Sequence, residues 1–150
     1  MKTFVMLICL MTGFISGCAS LNNQTVEFRA TSSTSFGISS DQFNTVELQP
    51  SEILLWKGAD LIGSITTVKT NPQSETAINE VKQGFVEAQK GPGAPRELTL
   101  PEGAYGFASS FRGFTTAFIA VVGDSEFWIT ISVKDDVFDQ VLLNKTRVKV

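Results

Sequence analysis

Cys9 and Cys18 are the only thiols of the chain, and histidine is absent. That pairing removes much of the usual reactive chemistry. A hydrolytic triad needs a base, most often histidine. A transition-metal site of the common type needs histidine or cysteine ligands. What is left is a scatter of carboxylates (Glu97, Glu102, Asp124, Glu126, Asp135, Asp136, Asp139) and one thiol in a distinctive setting. Cys18 closes the run Ile15-Ser16-Gly17-Cys18, which is branched aliphatic, small, small, nucleophile. The thiolate of a cysteine is the nucleophile among these residues.

The element that would present Cys18 lies just before it. Lys2 supplies one positive charge, and Phe4 to Ile15 is uncharged and largely apolar. As a helix those 12 residues span about 18 Å. A bilayer core is roughly 30 Å thick, so the segment has the length of a signal-peptide apolar region. Set behind such a region, Ile15 to Cys18 resembles the lipobox of bacterial lipoprotein signal peptides. The resemblance implies a diacylglyceryl group on the Cys18 sulfur, cleavage between Gly17 and Cys18, and an N-acyl chain, such as palmitate, on the new amine. Residues 1–17 would be the signal peptide, taking Cys9 with them. A plain signal peptide cut near Ala19 and an uncleaved anchor helix are the alternatives.

By the same resemblance the uncharged Ala19 and Ser20 imply sorting to the periplasmic leaflet of the outer membrane in a Gram-negative host. Several acyl chains hold a protein stably where one is marginal. Residues 18–25, the lipidated cysteine and ASLNNQT, form a polar tether in this reading, and 26–150 form one domain. That domain carries no thiol, so it needs no disulfide in an oxidising compartment. The whole chain has net charge −3, one unit more negative without Lys2, and no basic stripe for nucleic acid.

Coarse patterning then places strands and helices. Val26 to Ser35 alternates as a strand, whereas Phe36 to Phe43 reads as a loop tucking two rings inward. Residues 52–69 read as a hairpin turning at Lys57-Gly58-Ala59-Asp60. A helix opens at Asn71-Pro72, capped by Asn71 or Ser74, with Ile78, Val81, Phe85 and Ala88 as its apolar stripe. Gly91-Pro92-Gly93 ends it. Tyr105, Phe107 and Phe111 share a strand parity. Phe114 to Val122 is nearly all apolar. Phe127, Ile129, Ile131 and Val133 alternate cleanly with Trp128, Thr130 and Ser132. Asp135 or Asp136 caps a last helix bearing Val137, Phe138, Val141 and Leu142 inward. The expected class is α+β: an antiparallel sheet of about six strands with two helices packed on it.

The order of a hairpin, a capped helix and the stretch LPEGAYGFASSFRGFTTAFIAVVGDSEFWITISVKDDVFDQVL resembles the PsbP-like superfamily, which includes the DcrB-type envelope proteins. The resemblance implies a non-enzymatic adaptor or assembly role, and it names no ligand. From the residues themselves no catalytic, metal or cofactor set emerges. Trp56, Tyr105, Arg112 and Trp128 are the candidate partner-binding residues. Tyr105, Phe107, Phe111 and Phe114 gather around Arg112, and the tryptophans are amphipathic side chains of the kind enriched at interfaces. The expectation is an outer-membrane lipoprotein, held to the membrane by its lipid, that binds an envelope protein or component. The competing classes are a structural lipoprotein without a ligand site and a small carboxylate-dependent hydrolase. An exposed Trp56 or Trp128 would favour the first. A pocket with two carboxylates about 5–10 Å apart would favour the last.

Overall fold

β-branched and aromatic residues that alternate with small polar ones suit a sheet with one face more deeply buried than the other. The computed structural model, which describes residues 24–29, 35–142 and 147–149, turns nearly every such run into a strand. Gly17 and Cys18, with the rest of the signal-peptide reading, lie outside the described residues.

The elements run β1 (Gln24–Arg29), β2 (Ser35–Ser40), β3 (Thr45–Leu48), β4 (Glu52–Lys57), β5 (Asp60–Lys69), α1 (Ala77–Ala88), β6 (Arg96–Glu97), β7 (Ala104–Phe111), β8 (Phe114–Val121), β9 (Phe127–Lys134), α2 (Phe138–Leu142) and β10 (Arg147–Lys149). A seven-stranded sheet has the order β3-β4-β5-β9-β8-β7-β6, and a separate three-stranded sheet has the order β1-β2-β10. Every strand pair is antiparallel. The class is α+β and mostly sheet. The expected count of six strands is too low. The main sheet has seven strands, with the very short β3 and β6 at its edges, and residues 36–40, expected as part of a loop, pair on both sides within β2. β1 takes in Gln24 and Thr25, the last two residues of the stretch read as tether.

Register aligns six strands of the main sheet in one row: Val46, Leu55, Gly63, Val133, Thr115 and Ser110. Successive side chains point to opposite faces. One face therefore carries Leu55, Ile65, Ile129, Ile131, Val133, Ala117, Ile119 and Ala108. Phe43, Val137, Phe138 and Val141 close over it. Ile131 and Val133 are 0 % exposed, and fully burying an aliphatic side chain of this size is worth about 1.5–3 kcal/mol. Gly63 sits where β5 and β9 touch, and a Cβ there would overlap the Ser132 carbonyl oxygen and Val133.

The opposite face is covered by α1 where β7, β8 and β9 run side by side, through Ala77 and Val81. The cap of this helix is neither Asn71 nor Ser74. Thr76, with φ −147° and ψ 158°, accepts from the Asn79 amide. Asn71 is drawn into a turn instead, its Oδ1 accepting from the Gln73 amide and its own amide donating to Glu80 Oε2. At the other helix one of the two expected caps, Asp135, is spent elsewhere. Its carboxylate accepts from Thr115 Oγ1 at 2.6 Å, and α2 starts only at Phe138. α2 lies against β2 and is tied to β6 by the Arg96–Asp139 pair at 2.8 Å.

Candidate binding cleft

α1 crosses the sheet over the part of β7, β8 and β9 that carries aromatics. Odd parity on β7 and even parity on β8 and β9 aim Tyr105, Phe107, Phe118, Ala120 and Trp128 at the helix. The helix answers with Ile78, Val81, Phe85 and Ala88, the stripe legible in the sequence, and with Ala77. Phe107 and Phe118 stack at 4.6 Å and 14°. Phe85 tilts against Phe107 at 5.4 Å, and Trp128 against Phe118 at 6.1 Å. Such pairs add about 0.5–1.5 kcal/mol beyond their buried area.

The contact is incomplete. A cavity of about 280 Å³ opens between helix and sheet, lined by Glu80, Val81, Gly84, Ala88, Phe107, Ser109, Phe118 and Trp128. Ligand pockets run roughly 300–1,000 Å³, so this one holds a single large apolar side chain or a short acyl segment. Gly84 keeps it open. A Cβ at that position would meet the Phe107 ring at 3.7 Å, ordinary contact, and anything longer would fill the space. The Trp128 Nε1 is shut away from solvent and has no hydrogen-bond partner among the described residues. A buried donor left unpaired costs about 1–3 kcal/mol.

The structure separates the four candidate residues. Tyr105 and Trp128 meet under α1. The Tyr105 hydroxyl donates to Glu97 Oε1 at 3.1 Å, and Lys82 Nζ lies 5.3 Å from its ring centre. Burial, and then the Glu97 carboxylate, push the phenol up to about 12. Trp56 and Arg112 stand at the far end of the sheet. Trp56 is half-buried and donates from Nε1 to Glu47 Oε2 at 3.1 Å, and the exposed Arg112 lays its guanidinium over Phe111 at 4.9 Å. Neither tryptophan is exposed. The expected gathering of four aromatics around Arg112 divides: Tyr105 and Phe107 go under the helix, while Phe111 and Phe114 lie beyond it. Four residues of strand, about 13 Å, separate Phe107 from Phe111. Phe118 and Gly84 were not singled out in the sequence, and Phe85 was read only as part of the helix stripe. A glycine on the apolar stripe of a helix was the signal available for the cleft.

Of the seven carboxylates weighed as candidates, four hold structure together. Asp124 accepts from the Glu126 and Phe127 amides, Asp135 from Thr115, Asp139 from Arg96 and Glu97 from Tyr105. The α1 cavity, one beside Gly123 and one beside Pro50 present a single carboxylate each, Glu80, Asp124 and Glu52. Among the described residues no three acidic side chains are grouped to hold a metal, and no helix is long and apolar enough to cross a membrane. Compared with known protein families, curated proteins and solved structures, the chain matches none.

Proposed function

We propose that this protein is a non-enzymatic binding module, lipid-anchored through Cys18 to the periplasmic leaflet of the outer membrane of a Gram-negative host. The α1 cleft is its ligand seat. One observation carries the reading: an aromatic cavity of about 280 Å³ with an unpaired Trp128 Nε1 beside it. A core contact of this size would normally close, because empty apolar space costs stability. The chemistry fits an apolar group, a side chain of an envelope protein or a short acyl segment, laid against the rings of Phe107, Phe118 and Trp128. The resemblance to lipobox signal peptides supports the anchor.

The test is a pair of substitutions at one residue. Gly84→Ala removes a helix-interior glycine and adds only an ordinary contact, so it raises stability by roughly 0.5–1 kcal/mol and leaves binding in place. Gly84→Leu fills the cleft. Partners captured with the native, membrane-extracted protein are retained by the first variant and lost by the second, while mass spectrometry of Cys18 reports its acylation. Equal capture by both variants places the ligand seat elsewhere.

A further inference from the structure

The row of the main sheet beyond Leu55, Gly63, Val133 and Thr115 ends the strands in two turns. These are Lys57 to Asp60 between β4 and β5, and Arg112-Gly113 between β7 and β8. Three large apolar side chains stand exposed there: Phe111 at 61 %, Leu61 at 39 % and Phe114 at 38 %. Pairing places them on the face that also carries α1. Phe111 lies opposite Phe114, Phe114 opposite Lys134, and Leu61 opposite the half-buried Trp56. The other exposed apolar residues, Leu48, Val86 and Val122, are scattered singly.

The tip is held rather than loose. Arg112 and Gly113 have φ of 52° and 83°, the positive pair of a tight hairpin turn. The Asp135 amide donates to the Gly113 carbonyl at 3.0 Å. Because Thr115 spends its proton on Asp135, Ser110 donates to Thr115, which makes a relay across the base of the tip. Two phenylalanines are thus presented outward at fixed spacing.

The tether is also able to reach this end. Gln24 pairs with Ser40, and Asn44 donates to the Trp56 carbonyl. Four extended residues from Ser40 and one strand spacing put Gln24 within about 20 Å of Trp56, three strand spacings from β8. Cys18 lies six residues before Gln24, a further reach of at most about 22 Å.

We propose that this end of the sheet rests on the lipid leaflet, with Phe111 and Phe114 entering the boundary between headgroups and acyl chains. The inference rests on the Cys18 anchor and adds an orientation to it. Lys57, Arg112 and Lys134 are offset at the same end by Asp41, Asp60, Asp135 and Asp136. The contact is therefore made by the rings and depends little on anionic lipid.

The experiment uses the full-length acylated protein on vesicles of phosphatidylethanolamine and phosphatidylglycerol. Nitroxide labels are placed at Arg112→Cys or, at the opposite end of the sheet, Ser125→Cys. At 112 the label collides at least several-fold more with oxygen than with a water-soluble nickel chelate, relative to the label at 125, and it does so at any phosphatidylglycerol fraction. Phe111→Ser with Phe114→Ser, both exposed positions, abolishes that difference. An acylated, vesicle-bound protein whose two labels are equally wet overturns the contact and leaves the anchor standing. Dipolar coupling between 112 labels assigns the tip to a second copy and overturns it too. A Cys18 without its diacylglyceryl adduct removes the anchor and this inference with it.

Discussion

The two faces of the seven-stranded sheet are built on different terms. One is aliphatic and closed: Leu55, Ile119, Ile131 and Val133 are fully buried, and Phe43, Phe138 and Val141 seal them. The other is aromatic and only half-shut. Tyr105, Phe118 and Trp128 remain partly accessible beside a cavity, with one donor unpaired. Branched aliphatics have few rotamers and interlock, so they stabilise most when nothing is left to fill. Flat rings tolerate a missing neighbour, because stacked and tilted arrangements lie close in energy. A sheet with both faces of the first kind would have no room for a ligand. With both of the second kind it would lack a firm core.

The contrast can be broken most sharply by paired truncations. Ile131→Ala, at the centre of the closed face, should lower unfolding free energy by about 2–5 kcal/mol. Phe118→Leu keeps an apolar side chain next to space that can absorb the change, and should cost under about 1.5 kcal/mol. Urea denaturation of the two variants decides it. Similar losses would mean that the aromatic face is packed as tightly as the aliphatic one, and the cleft would lose its meaning. A smaller effect sharpens the role of the helix. Thr76→Ala removes the cap of α1 and should cost about 1 kcal/mol. Amide exchange should then quicken in the first turn of α1 while β9 stays protected, because the lid opens without its sheet.

How much of this was legible beforehand follows from the physics of each element. The β9 alternation and the α1 stripe are local patterns, and both were plain in the sequence. The cap was not, because Asn71, Ser74 and Thr76 are all suitable. The choice falls to Thr76 because the Asn71 amide and carboxamide are taken up by Glu80 and Gln73. β2 was missed because Gly37 and three serines dilute the strand signal, and only pairing on both sides makes it one. The candidate aromatics shared a parity but not a location: parity assigns a face, while the extent of α1 decides which part of that face is covered. The cavity depends on a distance across the fold, from Gly84 to Phe107: a glycine on the helix stripe signals a gap there, but not what lies across it.

The smallest effect tests the rim of the aromatic face. The chain has one tyrosine, so its phenolate absorbance reports Tyr105 alone. The folded value near 12 lies above the ordinary 10.0, with burial the larger cause and Glu97 the next. The neutral phenol's contribution to stability is therefore complete below pH 10 and is lost as pH rises through 12. Glu97→Gln should bring the titration midpoint down only part of the way towards 10, because burial remains. Tyr105→Phe should cost about 1 kcal/mol at pH 7 through the lost hydrogen bond and should flatten the decline between pH 10 and 12. A midpoint at 10 in the native protein would mean that the hydroxyl is wet and the cleft wider at this edge. A midpoint unchanged by Glu97→Gln would leave burial under α1 as the sole cause, making the helix, not the β6 edge, the wall that shelters the ring.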